Sequence, residues 1–198
     1  MKTLTLISLS IATLAGAAFA EDKKPAQPPA DNKKAPDAGA MMKPPEAPKP
    51  PTELNDLAKA MAGTWKCTGT ADIAGAMQEV KATITHKPDL DNFWMQSTFK
   101  GAVGKLPPFK FTMFTTYDAA SKKFWRTRVN GRGGHASESG TMTGAKISWE
   151  GDGRVMGNDF KTRETEEMVS AKEVHVTGEM SKDGGKTWAK DHDATCKK

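Results

Sequence analysis

Beyond residue 63 the chain alternates apolar and polar residues over short runs, with turn-forming Gly, Asp, Asn and Pro between them. Phe109, Phe111, Met113 and Tyr117 fall on one side of such a run, and Val174, Val176 and Met180 on one side of another. A period of two sends successive side chains to opposite faces, so these runs predict strands with one face buried and the other wet. About ten are expected, near 64–70, 77–86, 92–100, 109–117, 123–130, 135–143, 145–150, 160–169, 172–180 and 187–196. The links between them are short, among them Asp118-Ala119-Ala120-Ser121 and Asp183-Gly184-Gly185. Short links favour antiparallel pairing in chain order, a meander.

The segment ahead of the strands behaves differently. Leu54, Leu57, Ala58 and Met61 keep the spacing of one helical face, with Thr52 as the expected cap and Gly63 as the stop. From 21 to 51 the chain is built of Pro, Ala, Lys and a few acids and holds nothing to bury, which predicts a disordered linker. Residues 1–20 have the three parts of a secretory signal: Lys2, an apolar run from Leu4 to Ala18, and Ala18-Phe19-Ala20 at the cleavage point. A periplasmic or secreted location is therefore expected, with no membrane insertion. Residues 52–198 then form one all-β domain, a ten-stranded antiparallel up-and-down barrel with a short N-terminal helix, because closure removes both exposed sheet edges.

The helix leads into Gly63-Thr64-Trp65, and this junction resembles the opening of the lipocalin and fatty-acid-binding (calycin) barrels. The stretches LAKAMAGTW, TTYDAASKKFW and EMSKDGGKTW are similar to a domain-of-unknown-function family of secreted bacterial proteins with a lipocalin-like barrel. The resemblance implies that the helix closes one end and that Trp65 packs across the barrel floor. It implies a binding or envelope function and carries over no catalytic residues. In lipocalins an Arg near the last strand covers the floor Trp; here the last strand offers Lys190.

The formal net charge of +5 falls to +4 once Lys2 leaves with the signal, too mild to point to nucleic acid. The two cysteines, Cys67 and Cys196, survive cleavage, and two thiols in an oxidising compartment predict one disulfide. In a closed barrel with an even number of strands the first and last run antiparallel, which sets the early part of one beside the end of the other.

No motif asks for a metal, a cofactor or a catalytic apparatus. Ser181-x-Asp183-x-Gly185-x-Thr187-Trp188 matches an Asp-box, but it occurs once and reads as a hairpin turn. His86, His135, His175 and His192 fall on different strands. Strict alternation would keep His192 on the opposite face from Asp191 and Asp193. Met95, Met113, Met168 and Met180 read as core filler. No serine sits in a nucleophile elbow, so the chain is expected to bind rather than to catalyse.

The informative pattern is polar. If Phe160 and Met168 face the core, then Thr162, Glu164 and Glu166 face it too. Two inward carboxylates are costly unless water, cations or a ligand meet them, and the other reading is an open barrel end or a register bulge that turns both outward. Ser97, Thr115 and Thr127 are expected on neighbouring inward positions, and together these six form the candidate site for a small polar or amphipathic ligand. The alternative is a structural envelope protein with a filled barrel. A cavity would favour the first reading and a filled interior the second.

Overall fold

The computed structural model describes residues 46–198, so the expected signal segment and the expected linker as far as residue 45 lie outside the described residues. Helix α1 (Thr52–Met61) buries Leu54, Leu57, Ala58 and Met61, the face that their spacing predicts. Thr52 is not the cap. Pro51 holds that position, and no side chain bonds the free N–H groups of the first turn. A fixed backbone suited to helix entry takes the place of the expected hydroxyl. The chain leaves the helix through Gly63 at φ +106°, a region in which a side chain would clash.

Ten strands complete the domain: β1 (Gly63–Ile73), β2 (Ala76–Asp89), β3 (Trp94–Val103), β4 (Phe109–Asp118), β5 (Lys123–Asn130), β6 (His135–Thr143), β7 (Lys146–Val155), β8 (Asn158–Ser170), β9 (Glu173–Ser181) and β10 (Ala189–Lys197). Each overlaps a predicted run. Chain neighbours pair antiparallel throughout, and β1 pairs with β10, so the sheet closes as an up-and-down barrel. Hairpins β1–β2, β3–β4, β5–β6, β7–β8 and β9–β10 therefore all emerge at one end. Helix α1 covers the other.

At the covered end the buried face of α1 meets Trp65, Met95, Phe124, Ile147, Val174 and Cys196, which lie where their strands begin or end. Trp65 is 2% exposed and donates its indole N–H to the carbonyl of Met61 at 2.7 Å, tying strand to helix. The cation above it is not Lys190, which pairs with Asp193 instead. Lys198, just past β10, sets its Nζ 4.8 Å from the Trp65 ring and donates to the carbonyl of Ala60. A side chain at the chain end can fold back under the floor, whereas Lys190 stands at the far end of β10.

Cys67 and Cys196 face each other across the β1–β10 seam and are bonded, their Cα atoms 3.9 Å apart. The predicted closure brings them together. The Asp-box sequence is a self-contained turn: the Asp183 carboxylate accepts from Ser181 Oγ, the backbone of Lys186 and Thr187, and Thr187 Oγ1. Those bonds hold its pKa down at about 2 and leave it a structural knot. Among the described residues no helix is long and apolar enough to cross a membrane.

Candidate functional site

Strand β5 reads Lys-Phe-Trp-Arg-Thr-Arg-Val-Asn, and its buried positions are Phe124 and Arg126, with Arg128 half-buried beyond them. Trp125, Thr127 and Val129 face solvent. Thr127 is thus outside the barrel, contrary to expectation. The more apolar face of this strand points out because the inner face supplies the cations that the carboxylates of neighbouring strands require.

Arg126 is the centre of that arrangement. Its Nε donates to Glu138 at 2.7 Å, Nη1 to Glu166 at 2.6 Å and Nη2 to Glu164 at 2.9 Å. Its guanidinium lies 4.2 Å from the centre of the Trp149 ring, a favourable stacking for a buried cation. Trp149 can occupy this place because Gly140 stands opposite: a Cβ there would come within 2.5 Å of the ring. Arg128 adds a second layer, donating to Glu138 at 2.5 Å and to Glu164 at 3.4 Å.

The third cation comes from β10. Pairing with β9 slips between Lys190 and His192, a bulge that breaks strict alternation. Asp191 and His192 therefore share the inner side, and His192 bridges Asp191 at 2.9 Å through Nδ1 and Glu164 at 3.2 Å through Nε2. Gly178 on β9 leaves the recess that the imidazole fills; a Cβ there would collide with the ring. Strict alternation would separate this pair, and the bulge joins it.

These contacts set the protonation states. Burial disfavours the charge on Arg126, but Glu164, Glu138 and Glu166 more than restore it. Burial likewise opposes ionisation of Glu164, yet Arg126, His192 and Arg128 hold its carboxyl well below the usual range. His192 is pushed up to about 9, its loss of hydration outweighed by Asp191 and Glu164. Glu166, unlike Glu164, is pushed up, to about 7, because burial and the like charge of Glu164 exceed the help of Arg126.

Above α1 the lumen is not filled. A cavity of about 230 Å³ runs from Met61 and Trp65 towards Ala71 and Phe109 at the opposite rim. Its lining is divided. Strands β1 to β4 contribute an apolar part, including Val80, Ile84, Val103 and the stacked pair Phe99 and Phe111, whose ring centres are 4.4 Å apart. Strands β5, β8 and β10 contribute Arg126, Arg128, Glu164, Glu166, Asp191 and His192.

Residues 50–197 match the family described as "Protein of unknown function (DUF1579)". The chain belongs to this family. A search of curated protein sequences finds no match. Among solved structures the fold is similar to Rv2717c from M. tuberculosis, at 14% identity and a TM-score of 0.56, covering 76% of this chain and 99% of that one. It is also similar to the S-type phycobiliprotein lyase CPES from Guillardia theta, at 10% identity and a TM-score of 0.54, covering 73% and 92%. At these identities the likeness shows the lipocalin-like barrel fold.

Of the six candidate residues, Glu164 and Glu166 line the cavity. Ser97 is buried nearby, bonded to His86 Nδ1 at 2.7 Å. Burial drives the His86 pKa down to about 4, with Lys198 adding to the shift. Thr115 and Thr162 are buried in the wall but do not line the cavity. Arg126, Arg128, Glu138, Asp191 and His192 are not among the residues that the sequence pattern selects. The signal for the arginines was available: inward carboxylates demand cations, and Arg126 and Arg128 are spaced by the two residues that put both on one face.

Proposed function

We propose that this DUF1579 protein is an exported carrier that reversibly binds a small amphipathic molecule in its barrel and does not turn it over. The observation that carries this reading is the divided lumen, apolar along β1 to β4 and charged along β5, β8 and β10, around about 230 Å³ of open space. Ligand sites combine an apolar lining with a few fixed polar groups that orient the guest. Here the polar groups are fixed by one another, since Arg126, Glu138, Glu164 and His192 each hold at least two partners. A barrel kept only as a structural envelope element would gain stability by filling this space. The secretory-signal pattern read in residues 1–20 and the Cys67–Cys196 bond support export.

Native mass spectrometry of protein purified from its own host tests the reading. A non-covalently bound molecule is expected to leave with the folded protein, and Val176→Phe, which fills the lumen from β9, is expected to abolish it while keeping the circular dichroism spectrum. An empty barrel in every preparation, or a guest unaffected by Val176→Phe, would refute it.

A further inference from the structure

With every carboxyl ionised, the charges around the lumen do not balance. Arg126 and Arg128 on β5 and His192 on β10 supply three positive charges, counting His192 as protonated; Glu138 on β6, Glu164 and Glu166 on β8 and Asp191 on β10 supply four negative ones. His86 on β2, the other titratable group on the lining, is held neutral by burial. The positive groups are also committed. All three nitrogens of Arg126 donate to carboxylates, both terminal nitrogens of Arg128 do so, and both ring nitrogens of His192 are engaged. An anion entering the cavity would have to displace a carboxylate already in place. A cation meets Glu166, whose Oε1 shares Arg126 with two other carboxylates and which, when protonated, hydrogen-bonds its neighbour Glu164, a proton that a cationic group would replace.

We infer that the guest is an amphiphile with a cationic head, an ammonium or amidinium, set against Glu166 at the charged wall with its apolar part along Phe99 and Phe111. The inference rests on the carrier reading above and specifies its ligand. A positive head brings the count to four against four, and its hydrocarbon replaces water against the aromatic pair. Without a guest, Glu166 carries a proton for much of the time near neutral pH, its pKa lying at about 7. Binding a cation would then expel that proton to the buffer, up to one per guest, and the affinity should rise as pH rises through this range.

Isothermal titration of the full mature chain with octylammonium, octanol and octanoate, which share a tail and differ in the head, tests this at pH 6 and pH 8. The expected order is octylammonium tightest, with affinity rising from pH 6 to pH 8 and proton release visible as a dependence of the heat on buffer ionisation enthalpy. Glu166→Gln should weaken octylammonium by about tenfold at pH 8, as expected for one charge-assisted contact, remove its pH dependence and leave octanol unchanged. Octanoate binding as tightly as octylammonium, or proton uptake on binding the ammonium, would overturn the cationic guest while leaving the carrier reading intact. Failure of all three to bind would overturn both.

Discussion

Replacing Arg126 by Met is the most demanding perturbation of this lumen, because the side-chain volume is roughly kept while one cation serving three carboxylates is removed. Glu138 would retain Arg128, and Glu164 would retain Arg128 and His192. Glu166 would retain no cation. Removing one partner from a buried ion pair costs about 3–5 kcal/mol, since the partner left behind stays desolvated. The lost stacking on Trp149 adds about 1 kcal/mol. Against a total of about 5–15 kcal/mol for a domain, the variant should be folded but visibly weakened. Urea unfolding at pH 7 should show a lower midpoint at unchanged slope. Acid should narrow the deficit: in the parent Arg126 helps to hold the Glu164 carboxyl well below 4.5, a stabilisation that is lost as pH falls below 4.5, and the variant, which lacks that share at neutral pH, has less to lose there. Adding Glu164→Gln and Glu166→Gln to Arg126→Met should recover more than half of the loss. A deficit below about 1 kcal/mol at pH 7, or one that widens on acidification, would refute the account of Arg126 as the counter-ion of this wall.

The disulfide closes a sequence separation of 129 residues, which by chain entropy stabilises by about 5 kcal/mol as an upper figure, so reductant should lower the melting temperature clearly. A melting curve unchanged by reduction would contradict it. His192, raised from 6.5 to about 9, contributes stability that is fully present below pH 6.5 and is lost as pH rises through 9, on the order of 3 kcal/mol in total. The decline expected from Glu166 has the same sign but centres at lower pH, so chemical denaturation between pH 7.5 and 9 isolates the histidine. In His192→Asn this part of the decline should disappear.

Strand positions, closure and the cysteine pairing were legible because each followed from alternation in strands with one apolar face. Phe109, Phe111 and Met113 on β4 and Val174 and Val176 on β9 mark the buried side directly. The same logic placed Glu164 and Glu166 inside, since Phe160 to Met168 keeps its phase and the β8–β9 irregularity comes only between Met168 and Ser170. It failed on β5, where Trp125, Thr127 and Val129 form the more apolar face. Alternation reports the side of a residue only while polarity means solvent, and a buried charge network removes that meaning. Asp191 was lost for a second reason: a one-residue slip after Lys190 sets it on the inner side beside His192, which keeps the phase of Ala194 and Cys196, and no turn residue marks the slip in the sequence.

The bond between Cys67 and Cys196 turns nearly the whole barrel into a covalent ring, with the chain before Cys67, α1 included, and Lys197 and Lys198 after Cys196 lying outside it. A ring responds to cutting differently from a thread. A protease that severs any one of the nine hairpin turns opens the ring yet releases no fragment, and two cuts are needed before a strand can leave. Under tension applied at the chain ends the force passes across the seam through the sulfurs, so the strands between them are shielded from unravelling. New ends could equally be cut at a turn such as Ala145, with the disulfide holding the old first and last strands in register.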